Sequence, residues 1–366
     1  MLRLIGFCAL LMLGACAPRG QLLFMPDAKG VGDVQKVFVA TTRADDGEGD
    51  YWSSKRGYMP RYARFDVSIP PEREPGTLPW PPKNKAADPQ KHMVTVSRDL
   101  YPGAAAFRAA LSKEMSASRR GTREAVIFVH GFNNTFAEGL YRFAQLYHDL
   151  DLPGVAVHYS WPSRGSVLAY AYDRDSTLFA RDGLETLLQD VAASGADRIL
   201  IVAHSMGSAL TMETLRLVGQ NRQIRSRLGG VVLMSPDIDV DVFKTQAARM
   251  GPLPQPFVVM TSKRDNALAL SATIARENAR LGNLSDPSVL AGLNVTLVET
   301  GAYSDGDSHF TAATSPALIA LLRRSGDIDQ ALGQDARSRV GLLPGAVLRV
   351  QGVTQKVLTP VGRWGE

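Results

Sequence analysis

The stretch Arg198–Leu210, RILIVAHSMGSAL, constrains the fold of this chain more than any other. Ile199-Leu200-Ile201-Val202 is a short apolar run rich in β-branched residues, as expected of a strand that a parallel sheet buries on both faces. It stops at Ala203-His204-Ser205-Met206-Gly207, and a helical spacing of apolar residues begins at once with Ala209, Leu210, Met212 and Leu215. A strand that turns into a helix within five residues leaves space only for small side chains around the turn, and it strains the residue at the apex. Ser205 occupies that apex, with Gly207 intact and Ala203 standing where the G-x-S-x-G pattern has its first glycine. The context predicts a nucleophile elbow.

The alternation continues on both sides of it. Apolar runs predict strands at Lys36–Thr42, Ala63–Ile69, Met93–Val96, Ala125–Val129, Val155–Ser160, Val231–Met234, Phe257–Thr261 and Val295–Val298. Helical periodicity falls near 104–115, 135–150, 174–193, 207–219, 240–249, 267–281 and 313–323. Alternating strands and helices with continuous apolar strands predict an α/β fold: a mainly parallel sheet sandwiched by helices, with a β-containing extension at its N-terminus. The segment 70–90 carries seven prolines and reads as extended surface wrapping. The expected organisation is a signal segment at 1–15, a tether at 16–34, the extension at 35–120, the core at 121–324 and a tail at 325–366. In the tail, the weak alternation of Val340–Leu358 fits either a hairpin or a mobile segment.

The first sixteen residues do not read as part of the fold. Arg3 is followed by an apolar run from Leu4 to Leu13, too short to span a bilayer, and then by Leu13-Gly14-Ala15-Cys16. A small-residue cleavage site that ends in cysteine resembles the bacterial lipobox, which implies lipidation of Cys16. That places the chain in the bacterial cell envelope, and Ala17 after the cysteine points to the outer membrane, facing the periplasm. Cys8 leaves with such a signal, so no thiol remains for catalysis or for a metal site. A net charge of +5 with no basic run of interleaved aromatics argues against nucleic-acid binding. No metal-ligand cluster, P-loop or dinucleotide fingerprint is present, so neither metal nor cofactor is expected.

A second motif lies at Ala125–Gly139, AVIFVHGFNNTFAEG. Here a strand runs into His130-Gly131-Phe132, and Thr135-Phe136-Ala137-Glu138 then opens a helix with a capping-box pattern. A loop in that position can aim a backbone N–H at a developing oxyanion beside the amide that follows the nucleophile; Phe132 and Met206 are the candidate donors. His130 reads as a structural hydrogen-bonding residue of this loop, and Asn133 and Asn134 as residues that fix it or cap the helix. Triads in α/β hydrolases follow the chain order serine, acid, histidine. Of six histidines only His309 follows Ser205, so it is the candidate base. Asp265, after Phe257–Thr261, is the candidate acid; Asp237 and Asp239, one strand earlier, are its rivals or helix caps.

Eight segments, in order, resemble a single family: VFVATTRA at 37–44, VSIPPEREPG at 67–76, FVHGFNNTF at 128–136, SWPSRG at 160–165, AHSMG at 203–207, SPDIDVDVF at 235–243, DNAL at 265–268 and GDSHF at 306–310. It is the bacterial α/β-hydrolase family of esterase/lipase-like proteins catalogued as a domain of unknown function, and the resemblance covers about residues 35–323. It implies the α/β-hydrolase fold and a serine-hydrolase mechanism, without a substrate. The expected activity is cleavage of a small-molecule, lipid or polymer carboxylic ester by a membrane-anchored enzyme. The alternatives are a peptidase or thioesterase with the same triad, or a catalytically idle envelope lipoprotein that binds. Residues 235–256 are too few for a cap domain, so the expected site is open, or shaded by the N-terminal wrap and by Ser160-Trp161-Pro162-Ser163. Trp161 reads as a packed loop residue before a pocket wall.

Overall fold

In the computed structural model the described residues are 20–45, 52–117, 123–275, 280–284, 286–303, 314–315, 345–350 and 353–358. Among the described residues eleven strands form one sheet: β1 (Asp33–Arg43), β2 (Arg56–Ile69), β3 (Val94–Tyr101), β4 (Glu124–Val129), β5 (Val155–Ser160), β6 (Arg198–His204), β7 (Leu228–Met234), β8 (Phe257–Thr261), β9 (Val295–Glu299), β10 (Gly345–Val350) and β11 (Val353–Leu358). Their order is β10-β11-β9-β8-β7-β6-β4-β5-β1-β2-β3. All pairings are parallel except those that β2 makes with β1 and β3 and that between β10 and β11. The helices that follow are α1 (Ala104–Ser116), α2 (Phe136–Asp149), α3 (Tyr170–Ala193), α4 (Met206–Val218), α5 (Val240–Met250) and α6 (Asn266–Ala275).

The central strands are buried along their whole length because both faces are covered. β4 shows the division: Ala125, Ile127 and Val129 pack with α1, α3 and α4, whereas Val126 and Phe128 pack on the opposite face with Phe136, Leu140 and Phe143 of α2. Period-2 alternation sends neighbouring residues to opposite layers, and each layer finds an apolar cover, so the strand has no polar side to show. β1 joins the sheet directly beside β5 (Val37 against Ala156 through Thr41 against Ser160), so the N-terminal strands extend the core sheet itself. The tail contributes the antiparallel pair β10 and β11, and β11 pairs in parallel with β9.

Chain direction sets where a site can form. From β4 the chain crosses through α2 to β5 on one side; from β6 it crosses through α4 to β7 on the other. The C-terminal ends of adjacent β4 and β6 therefore part at a topological switch point, where open α/β sheets leave a crevice.

Candidate active site

Ser205 sits at that switch point. Its φ of 53° and ψ of −125° fall in a region that side chains with a Cβ avoid, between the last residue of β6 and the first of α4. The conformation is held from several sides. The Ser205 N–H donates to Met234 O at 3.0 Å, and its carbonyl accepts from Ser208 N at 2.9 Å and Asp237 N at 3.3 Å. Its hydroxyl does not cap α4, although serine at such a position ordinarily does. Met206 opens the helix, so its N–H is among those left without an intrahelical acceptor.

The loop after β4 is pressed against this turn. A Cβ on Gly131 would lie 2.5 Å from His204 Nδ1 and 2.9 Å from Ser205 Cβ; one on Gly207 would lie 2.3 Å from His130 O and 2.6 Å from Val129 O. Both glycines are therefore required by close approach. Within the loop, Gly131 O faces His130 Nδ1 at 2.9 Å and accepts from Asn134 Nδ2 at 3.2 Å, while Phe132 O accepts from the same amide at 2.8 Å. In a trans peptide the C=O and N–H point to opposite sides. Securing Gly131 O thus turns the Phe132 N–H away from His130 and Asn134.

The brace extends into the sheet. His130 is buried, its ring stacked on Trp161 with centroids 4.9 Å apart, and Trp161 Nε1 donates to His130 O at 2.7 Å. Burial, reinforced by the Arg43 charge, holds the His130 imidazole neutral well below its ordinary range. Trp161 is fully buried and packed, so it forms no pocket wall. Arg43, at the end of β1, is also buried, and burial pushes its guanidinium down to about 10. It donates to Ser160 Oγ at 2.9 Å, Ser163 O at 3.0 Å and Asn134 O at 2.9 Å. Asp173 of α3 accepts from Ser163 Oγ, from Arg164 N at 2.8 Å and from Asn133 N at 3.3 Å. Sequence reading missed Arg43 and Asp173. A charged residue that ends an apolar strand was the signal for Arg43; Asp173 lies on a helix of ordinary amphipathic spacing.

Thr135 and Glu138 complete the capping box: Thr135 Oγ1 accepts from Glu138 N at 3.2 Å and Glu138 Oε2 from Thr135 N at 2.9 Å. The chain before β1 docks here. Gly20 N donates to Glu138 Oε1 at 2.9 Å and Gly20 O accepts from Thr135 Oγ1 at 3.1 Å, while Leu23 and Met25 pair with Thr95.

Asp265 is buried at the end of β8, and its Oδ1 accepts from Leu268 N at 3.0 Å, which caps α6. Asp237 is engaged differently. Arg280 Nε lies 3.2 Å from its Oδ1 in a buried ion pair, and Ser271 Oγ and Tyr170 OH donate to it at 2.7 and 3.1 Å. Asp239 caps α5 through Asp241 N and Val242 N, both at 2.9 Å. His309 and Cys16 lie outside the described residues. A cavity of about 310 Å³ opens beside Met206, lined by apolar side chains including Leu210, Ile238 and Val242, by Tyr170, and by the charged Arg174, Asp175, Glu213, Asp237, Asp239 and Arg280. The Tyr170 ring packs edge-on against Phe132 at 5.5 Å. Among the described residues no group of three His, Cys, Asp or Glu could hold a metal ion, and no helix is long and apolar enough to cross a membrane.

A mainly parallel sheet covered on both faces, with a strained serine at the strand-to-helix turn of its switch point, defines an α/β hydrolase. The chain belongs to the family described as alpha/beta hydrolase of unknown function (DUF900), whose profile matches residues 104–324. It is 37% identical over 81 residues to an uncharacterized protein of Nostoc sp., alr1448, a stretch that covers 20% of this chain and 21% of that one. Among solved structures it is similar to lipase B of Aspergillus fumigatus, at 14% identity and a TM-score of 0.37, covering 58% of this chain and 53% of the lipase. It is also similar to a putative hydrolase of Agrobacterium vitis, at 14% identity and a TM-score of 0.35, covering 74% and 94%.

Proposed function

We propose that the chain is a lipid-anchored serine hydrolase that cleaves carboxylic esters through an acyl-enzyme. The observation that carries this reading is the backbone of Ser205: a strained serine at the switch point whose hydroxyl caps nothing is costly to maintain, and its use is to present a nucleophile. In the proposed reaction Ser205 Oγ attacks the acyl carbon while His309 takes the hydroxyl proton. The tetrahedral oxyanion is stabilised by the Met206 and Phe132 amides, the latter aimed by His130 and Asn134. The alcohol then leaves with the proton from His309, and water repeats the sequence to release the acid. Asp265 is assigned the role of orienting His309. Its rival Asp237 is committed to Arg280, which argues against freeing it for an imidazole. The wall that Leu210, Ile238 and Val242 give the cavity beside Met206 suits the acyl chain or apolar alcohol of an ester.

The test is a panel of p-nitrophenyl esters, a thioester and a p-nitroanilide with matched acyl groups. Ester turnover should exceed anilide turnover, and Ser205→Ala should leave no more than the ~10³–10⁴-fold over water that binding and the oxyanion donors supply. Turnover confined to the anilide or the thioester would replace the ester reading. No turnover of any of them would favour the idle lipoprotein.

A further inference from the structure

Ser205, the loop after β4 and the first turn of α2 lie together at the C-terminal ends of the strands, and the chain enters the fold at that same end. Gly20 is bonded to both members of the Thr135–Glu138 capping box, the residues next after the loop that carries Phe132. Only Ala17, Pro18 and Arg19 separate it from Cys16. Four residues fully extended span at most about 14 Å, so a bilayer holding an acyl group on Cys16 can lie no farther than that from Gly20, plus the reach of the cysteine side chain.

Large side chains that a soluble surface usually hides project from the same edge. Between β5 and α3, in the loop whose Ser163 bonds to Asn134, Val167 is 68% and Leu168 93% exposed. At the start of β2, which pairs with the end of β1, Tyr58 is 88% and Met59 76% exposed. Two cations join these groups: the Arg56 and Arg164 guanidiniums lie over the same Tyr172 ring, 4.4 and 4.1 Å from its centroid. Among the described residues neither has a carboxylate partner; Arg56 donates to Ser176 Oγ and Tyr172 O. Apolar tips beside unneutralised arginines match the boundary between acyl chains and anionic headgroups.

We infer that the edge bearing Val167, Leu168, Tyr58 and Met59 is a membrane-docking face, which sets the mouth of the Ser205 site against an anionic phospholipid bilayer. The short tether allows this orientation and disfavours the reverse, in which the opposite edge would meet the lipid. The substrate class follows. Esters that reach the site do so from the bilayer surface, so amphiphilic lipid esters are preferred over esters dissolved in the periplasm. This rests on the lipid-anchor and hydrolase readings above.

The test uses the full-length chain, purified after processing and reconstituted into phosphatidylethanolamine–phosphatidylglycerol vesicles that contain brominated lipid. A fluorophore is placed at Leu168→Cys or, as a control on the opposite edge, at Gln223→Cys, an exposed position in the single-turn helix Arg222–Arg225 between α4 and β7. Melting temperatures close to the parent's are required of both variants. The expected result is quenching several-fold stronger at 168 than at 223. In unlabelled protein, Leu168→Asp should raise the KM for vesicle-borne ester at least tenfold and leave kcat/KM for soluble p-nitrophenyl acetate unchanged. Equal quenching at both positions, or stronger quenching at 223, would overturn the inference, as would a chain that does not float with vesicles, which also removes the anchor. Strong quenching at 168 in a chain whose Ser205 takes no fluorophosphonate label would uphold the docking face and sink the hydrolase reading.

Discussion

Replacing Gly207 by alanine adds one methyl group, and the structure says what it meets. The new Cβ would lie 2.3 Å from His130 O and 2.6 Å from Val129 O, both backbone atoms, where ordinary contact begins near 3.4 Å. Carbonyl oxygens cannot swing aside like a side-chain tip, so the β4 loop and the β6 turn must part by roughly 1 Å. Overpacking of this kind costs about 1–3 kcal/mol. Alanine returns about 0.5–1 kcal/mol as the better helix former, because Gly207 lies within α4. The net loss is then at most about 2.5 kcal/mol, and Tm should fall by no more than about 3 °C, because the unfolding entropy of 366 residues turns each kcal/mol into only about 1.3 °C. Activity should suffer more. The displaced loop carries Phe132, and a misplacement of about 1 Å near reacting groups costs on the order of 10²-fold in kcat. The assay is a thermal melt together with p-nitrophenyl ester hydrolysis at a temperature where parent and variant are both folded. Gly103→Ala is the control, since its Cβ meets nothing within 4 Å. A Gly207→Ala protein with the parent's Tm and turnover would refute the contact between the two loops and the reasoning built on it.

Three further outcomes are expected. Asp265→Asn should lower ester turnover by about 10⁴ with little change in Tm, because the amide presents the wrong hydrogen-bonding group to an imidazole. Asp237→Asn breaks the buried pair with Arg280 and should cost about 3–5 kcal/mol by denaturant titration, and Asp239→Ala about 1 kcal/mol as a lost helix cap; a stable but inactive Asp237→Asn would move the acid to the earlier strand. Stability should fall as pH drops below 6.5, because burial pushes the His158 imidazole down to about 3. Between those values the unfolded chain takes a proton that the folded chain refuses, a loss of about 2 kcal/mol by pH 5. His158→Gln should make that part of the melting-temperature profile shallower, the equally buried His130 supplying the remaining slope, and an unchanged slope would assign it elsewhere.

The elements that were legible in the sequence are those whose pattern is local. Val155–Ser160 and Phe257–Thr261 stand in the structure with the bounds their apolar runs predict, because a strand buried on both faces has nowhere to place a polar residue. The capping box at Thr135 was readable for the same reason: its two hydrogen bonds close within four residues. Strand ends were less readable. β2 begins at Arg56, seven residues before its apolar run, because the antiparallel partner carries the pairing past the buried segment. In the site, the apex serine and the two glycines follow from the tightness of one turn. The hold on the β4 loop does not, since Arg43, Ser163 and Asp173 meet there only once β1, β5 and α3 are assembled. The commitment of Asp237 is equally non-local: its expected part as a simple helix cap goes to Asp239, and its own partner Arg280 lies more than forty residues away.

The most direct measurement is the site of covalent attachment of a fluorophosphonate. Intact-protein and peptide mass spectrometry should find one adduct per chain, on the peptide that contains Ser205, with none in Ser205→Ala and much slower attachment in His309→Ala. Labelling on another residue, or none in a folded chain, would contradict the assignment of Ser205 as the nucleophile.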